Sequence, residues 1–473
     1  MTRSSVSLRD PAGSLVAIDG RFFRFVLPLG ATNAHALEHS PVVARWQREG
    51  RFVATQSVPR SEWPEALGVD HAVAVLEHAA IGFPSYPEEW TPSMLADAGA
   101  LTAQLARELL AEGLGLKDAT PLNVLFDGCT PVFVDALSVE PRDPGDAVWF
   151  AYGQFVRTFV LPLLASKYLG WSLRRTFTGA RDGLEPEMLY PRLSRIDRLR
   201  APVFAMVTGP VLLSRRLKSP APSGTGFARM APERAKYSVE RLLNHAARSV
   251  ERARGSASDS RWTSYRDSSV HPPEYHEKRR LIVEEMMREH HPARVLDIGT
   301  NDGTFALVAA AMGAAVVAID RDEAVVERAY RRIRTENANI LPLVVDLLDP
   351  TPAAGWRNEE RQSFLQRATN GFDAVLCLAV LHHLVAGDWI PLEAAFDLVA
   401  ELTRDLLVIE FIPADDPHCA GLLRGRQLTA DRWSVDALLG VAHREFDLVA
   451  RQVVSPSGRE VFVLRRRSPV GAG

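Results

Sequence analysis

The sequence predicts an α/β fold in its C-terminal half, a parallel, doubly wound sheet finished by an antiparallel hairpin, preceded by an α+β module. Three observations predict it. From about residue 270 onward, short apolar runs alternate with segments of helical spacing. The first run opens into a glycine-bearing turn, GTNDG (299–303), followed by a helical pattern. The last two runs, EFDLVARQVV and EVFVLRRR, flank a PSGR turn. With 473 residues the chain is too long for one ordinary compact domain. Its 47% hydrophobic and 24% charged residues are those of a globular protein, and a net charge of −3 excludes a surface that coats nucleic acid throughout. Cys129, Cys377 and Cys419 form no CxxC pair, so neither a disulfide framework nor a zinc site is expected, and no metal. The first residues lack an apolar core, and the runs 155–165 and 201–214 are too short to span a bilayer. The expected setting is therefore cytoplasmic, with no transmembrane segment.

Taken in order, residues 14–28 alternate apolar and polar around Asp19-Gly20, which predicts a hairpin. Over 94–114, Leu95, Ala98, Leu101, Leu105, Leu109 and Leu110 fall on one helical face. NVLFDGCTPVFVDALS (123–138) reads as strand, turn and strand about Asp127-Gly128, and 144–173 as helical and aromatic-rich. Between Arg192 and Arg254 there are 14 Lys or Arg against four acids, either a solvated helical surface or a site for an anionic partner. KSPAPSGTG (218–226) reads as a flexible linker, and the polar run 255–269 marks a boundary. The expected division is an α+β module over 1–175, a basic helical linker region over 176–269, and the doubly wound domain over 270–473.

In that last domain, ARVLDI (293–298) is the first strand. AAVVAID (314–320), 339–345, 371–378 and 405–411 are the next four. Glycines after the first strand permit a tight turn and bring backbone N–H groups against a ligand. Asp320 ends the second strand about 20 residues later, placed to accept from a ribose diol. The loop lacks the GxGxxG form of nicotinamide enzymes. With motifs in this order over nearly 200 residues, the domain resembles the Rossmann-like class I S-adenosylmethionine (SAM)-dependent methyltransferases. The resemblance implies SAM as cofactor. It implies Asp297, Gly299, Asn301 and Gly303 around the methionine part, Asp320 at the ribose, and Asp346 with the Leu347 backbone at the adenine. Strand-end capping is the bland alternative for the three aspartates.

Methyl transfer needs an aligned nucleophile and, where the acceptor carries a proton, a base. The acceptor side of such a sheet lies in the loops after strands four and five. His382 and His383 follow strand four, and either is a candidate base or a helix cap and packing residue. Glu410, ending strand five, is a second candidate, or a buried carboxylate with a structural partner. WRNEERQSFLQR (356–367) is read as a lid or an amphipathic surface helix. Tyr265 and 274–278 precede the first strand, where such domains often close over SAM.

In the N-terminal module, KDATPLNVLFDGCTPVFVD (117–135) sets Asp118, Asn123 and Asp135 at spacings that resemble the catalytic loop of kinase-like and aminoglycoside-phosphotransferase-like folds. Residues 1–116 hold no lysine to clamp phosphates, no Gly-rich loop is visible, and Leu116 stands where the loop histidine would be. The module is thus read as a degenerate, kinase-like scaffold, with turn and hairpin shaping as the alternative role of the three residues. The strings LKDATPLNVLFDG, AYGQFVRTFVLPLLA, VLDIGTNDGTFA and LAVLHHL resemble a bacterial family of two-part SAM methyltransferases, some labelled nodulation-associated. Together these readings predict methyl transfer to an unidentified acceptor, a small molecule in preference to RNA or protein, selected by the N-terminal module. The alternatives are a SAM-binding scaffold without turnover, or an RNA methyltransferase that uses the basic middle region.

Overall fold

Apolar runs flanked by glycine and aspartate become parallel strands where both sheet faces are covered by helices. That is the arrangement of the C-terminal unit in the computed structural model, which describes residues 3–7, 10–64, 71–216, 229–255, 272–423, 428–429 and 432–467. By its contacts the chain divides into Met1–Ser256 with Ala353–Gln362, and Ala257–Pro352 with Ser363–Gly473.

In the N-terminal unit, β1 (Arg3–Ser7), β2 (Gly13–Ile18), β3 (Arg21–Val26), β4 (Thr55–Ser57) and β5 (Ala74–His78) form an antiparallel sheet in the order β1-β2-β3-β5-β4. The hairpin read at Asp19-Gly20 is present as β2 and β3, with φ of 46° and 80° at the turn. Val16, Ile18, Phe23, Phe25 and Val75 pack together as its core. The helices Ala31–His39 and Pro41–Arg48 lie between β3 and β4, and the second buries Val42, Val43 and Trp46 on one face. The expected long helix spans Pro92–Leu110, with Thr91 capping its N-terminus. It is followed by β6 (Leu114–Leu116), the hairpin β7 (Val124–Asp127) and β8 (Thr130–Phe133), and β9 (Val139–Pro141).

Two expectations change here. The region 176–255, read as part of a linker, belongs to the N-terminal unit. Its helix Pro232–Ala253 packs on Pro92–Leu110, and Arg254 donates to the buried Asp97 carboxylate at 2.8 Å. The segment Ala353–Gln362 also belongs to this unit, where Arg361 donates to both Glu88 oxygens at 2.8 and 3.0 Å and lies over the Tyr86 ring. Of the expected surface helix over 356–367, a 3-10 turn, Trp356–Asn358, forms in this segment, and a short α-helix, Phe364–Ala368, begins only after it, in the C-terminal unit. The 218–226 linker, the polar run to Ser269 and Tyr265 lie outside the described residues.

The C-terminal unit is a seven-stranded sheet in the order β12-β11-β10-β13-β14-β16-β15. β10 (Arg294–Ile298), β11 (Ala315–Asp320), β12 (Ile340–Val344), β13 (Phe372–Cys377) and β14 (Thr403–Phe411) run parallel. β15 (Phe446–Val453) and β16 (Glu460–Arg466) form the antiparallel hairpin, with β16 inserted between β14 and β15. The strand order reverses between β10 and β13, and loops at the carboxyl ends on either side of that point open a crevice. The helix Pro273–His290 precedes β10, and Thr304–Ala311 follows the glycine turn.

Candidate active site

The crevice holds a cavity of about 550 Å³, within the range of small-ligand sites. The turn after β10 forms one wall. Gly299, Asn301 and Gly303 all take left-handed backbone, at φ of 70°, 49° and 78°. Glycine and asparagine are the residues that adopt it at least cost. A Cβ on Gly299 would lie 2.4 Å from Val380 Cγ2, so the turn passes too close to the loop after β13 for any side chain. Ala379 in that loop is also left-handed, at φ 56°, and lines the cavity. The backbone strain thus falls on Ala379, in the loop that faces the glycine turn.

Asp320 at the end of β11 lines the cavity and ties the turn to it. Its two oxygens accept the Asn301 N–H at 3.2 Å and the Asp322 N–H at 3.0 Å. Burial, in the main, raises its pKa. Asp346 and Leu347 line the far side, and Asp346 accepts the Leu348 N–H at 3.0 Å. Asp297 and Gly303 lie off the cavity wall. Asp297 is 1% exposed and accepts the Thr300 hydroxyl at 2.7 Å, so it shapes the turn from within. Burial pushes its carboxyl up to about 7; the bonds from Thr300 and the Ala306 N–H oppose this, and the charges of Asp320 and Asp302 add to it.

On the acceptor side the structure separates the three candidates. His383 lines the cavity, with its backbone N–H donating to the Val380 carbonyl at 2.8 Å. His382 does not line it: it is 2% exposed, its Nδ1 is buried without a hydrogen-bond partner, and burial holds it neutral, well below its ordinary pKa. A base must reach its proton, so of the adjacent pair only His383 is placed to act. Glu410 is fully buried and engaged. Tyr275 donates to one oxygen at 2.7 Å and Arg279 to the other at 2.9 Å. Arg459 then donates to the Tyr275 hydroxyl at 2.8 Å, and through Nε and Nη2 to Asp416, each at 2.8 Å. Glu410 therefore fastens the helix Pro273–His290 to β14 and the β15–β16 turn, and its reading as a base is corrected on that ground.

Sequence reasoning missed Arg279, Phe305 and Val380, which line the cavity. Of these, only Arg279 carried a usable signal, as a charged residue on the inner face of a helix. In the N-terminal unit, Asp118, Asn123 and Asp135 do come together. Asn123 Nδ2 lies 3.5 Å from the Asp118 carbonyl, Val134 donates to the Asn123 carbonyl, and Asp135 precedes the turn Ala136–Ser138, its backbone carbonyl accepting the Ser138 N–H at 3.1 Å. Arg24 on β3, 5% exposed, stands 3.4 Å from Asp135. Burial raises the Asp135 carboxyl against the opposing charges of Arg24 and Lys117. A search for lysine alone overlooks this arginine.

The fold, the glycine turn and the strand-end acids have the arrangement of class I methyltransferase domains, a class whose cofactor is S-adenosyl-L-methionine. Residues 273–432 match a family model described as a methyltransferase domain. Over 467 residues the chain is 27% identical to nodulation protein NoeA of Rhizobium meliloti (strain 1021), covering 98% of this chain and 96% of that one. Among solved structures, the N-methyltransferase NodS from Bradyrhizobium japonicum WM9 is similar at 16% identity and a TM-score of 0.31, over 41% of this chain and 98% of that one. Magnesium protoporphyrin IX methyltransferase from Synechocystis PCC 6803 is similar at 18% identity and a TM-score of 0.29, over 41% and 84%.

The raised Asp297 pKa gives a pH dependence. An acid whose folded pKa lies above its ordinary value stabilises the fold while protonated, and loses that contribution as pH rises towards about 7. A cationic ligand near the turn favours the ionised form and displaces the proton. SAM affinity is therefore expected to rise from pH 6 to pH 8, with proton release on binding. Calorimetric titration in buffers of different ionisation enthalpy measures both, and an affinity that falls over this range contradicts the coupling.

Proposed function

We propose that this chain transfers a methyl group from SAM to a small-molecule acceptor, and that the N-terminal unit positions or selects that acceptor. The observation that carries the reading is one cavity lined together by the Gly299–Asn301 turn, Asp320, Asp346 and His383. SAM supplies an electrophilic methyl group on a sulfonium. Asp320 and the Asp346–Leu347 loop would hold the nucleoside, and the turn after β10 the amino-acid part. Asp297 positions that turn through Thr300. His383 would take the acceptor's proton, and the loop at Ala379 and Val380 keeps the reacting groups close.

The N-terminal unit supports a degenerate, kinase-like scaffold. A five-stranded antiparallel sheet is followed by a long helix and then by the Asp118–Asn123 loop and Asp135. Asp135 is already partnered by Arg24, which makes a metal there unnecessary for neutralisation.

One set of measurements tests both halves. Titration of the purified chain should show SAM binding and no binding of ATP with magnesium. Turnover to S-adenosylhomocysteine with a small-molecule extract should fall about 100-fold in His383→Ala, in line with the loss of a general base. SAM affinity should stay within twofold. Unchanged turnover removes His383 from the mechanism. Absence of turnover with any extract favours a SAM-binding scaffold, turnover only with RNA favours the RNA reading, and ATP binding reopens phosphoryl transfer.

A further inference from the structure

Among its described residues the N-terminal unit carries an exposed apolar surface. The helical run Ala201–Val203, Phe204–Thr208 and Gly209–Arg216 buries Val203, Met206, Val207 and Val211. Its other side presents Phe204, Leu212 and Leu213 to solvent, at 48%, 42% and 57% exposure. The short turn Asp197–Leu199 is fastened to this helix by the Thr208 hydroxyl, which donates to the Arg198 carbonyl at 2.8 Å. It adds Ile196 and Leu199, exposed at 72% and 75%. Single exposed leucines are ordinary, but five large apolar side chains within 18 residues mark an interaction surface.

The charges around these side chains are mainly positive. Residues 186–216 contain six arginines and two acids. Asp197 is held by Ser194 at 2.6 Å and Arg200 at 2.9 Å, and Glu187 accepts the Ser214 hydroxyl at 3.3 Å. Half-buried aromatic rings brace the arginines. Arg198 and Arg215 lie over Tyr190, Arg192 over Trp171 and Arg200 over Tyr168.

We propose that this face docks on an anionic phospholipid bilayer. Exposed aliphatic side chains flanked by arginines and interfacial tyrosine and tryptophan satisfy both layers of a lipid surface, hydrocarbon beneath and phosphate above. No helix among the described residues is long and apolar enough to cross a membrane, so the face lies on the bilayer. RNA fits less well: the rings that would stack bases are covered by guanidinium groups, and isoleucine and leucine offer nucleic acid little. A second copy of the chain would set arginines against arginines across a twofold axis.

Co-sedimentation of the full chain with vesicles tests the proposal. Binding to phosphatidylglycerol–phosphatidylcholine vesicles is expected, weaker by at least about tenfold on phosphatidylcholine alone and weakened by salt. The double variant Ile196→Asp/Leu199→Asp should lose about tenfold in binding while keeping its thermal midpoint and SAM affinity, because both side chains are solvent-exposed. Arg195→Gln/Arg215→Gln, which leaves the apolar side chains intact, should lose binding to a similar degree. Failure to bind anionic vesicles overturns the proposal, as does full binding by both double variants. It is likewise overturned by a dimer, without vesicle binding, that Ile196→Asp/Leu199→Asp breaks, or by RNA binding that replaces vesicle binding.

Discussion

Gly299→Val is expected to weaken SAM binding by about 100-fold or more, equivalent to about 2.7 kcal/mol. Two costs combine. A β-branched residue is forced into left-handed backbone at φ 70°, and its Cβ falls 2.4 Å from Val380 Cγ2. Either the turn after β10 or the loop after β13 must move, and both line the cavity. Because the Asn301 N–H donates to Asp320, movement of the turn also disturbs the acid at the end of β11. Gly299→Ala meets the same close approach with one carbon and should show a smaller loss. Calorimetric titration of both variants, with circular dichroism as a check of the fold, measures the effect. Wild-type affinity in Gly299→Val would falsify the assignment of this turn to the cofactor.

Arg459→Met is expected to destabilise the C-terminal unit by about 3–5 kcal/mol, the cost of breaking a buried ion pair from one side. Arg459 is fully buried, with both its Asp416 bonds and its Tyr275 bond inside the protein. Its removal leaves Asp416, 2% exposed, with the Ser457 hydroxyl and the His418 N–H and without a cation. The effect should reach the cavity, because Tyr275 and Arg279 on the helix Pro273–His290 line it and share Glu410. Chemical denaturation measures the stability, and SAM titration under native conditions measures the consequence at the site. Asp416→Asn should recover part of the loss when combined with Arg459→Met, since the two residues form one network. Additive losses would show that they act independently.

Much of the C-terminal unit is legible in the residues. Strands at Arg294–Ile298, Ala315–Asp320, Ile340–Val344 and Phe372–Cys377 each coincide with an apolar run, and β15 and β16 with the two runs around the PSGR turn. A strand buried on both faces needs an unbroken apolar stretch, and a turn that must go left-handed needs glycine or asparagine. Those are local demands, and Asp320 follows from them by its place at a strand end. The N-terminal sheet was legible only in its β2–β3 hairpin, where Asp19-Gly20 writes the turn directly. Strands β4 and β5 are short and flanked by nonrepetitive sequence, and only their pairing beside β3 makes them strands.

The amino-acid sequence by itself determined the doubly wound class, the glycine turn and the acids at the ends of β11 and β12, because period, turn chemistry and strand length are written in neighbouring residues. Only the tertiary structure decided which of His382 and His383 meets the cavity, that Glu410 is spent on Tyr275 and Arg279, and that Arg24 stands beside Asp135. It also decided that Ala353–Gln362 belongs with the N-terminal unit. Each of these depends on partners far away in the chain, 135 residues apart for Tyr275 and Glu410 and 273 for Glu88 and Arg361. Burial and pairing of a charged side chain are set by whatever the fold brings against it, and no local pattern encodes that.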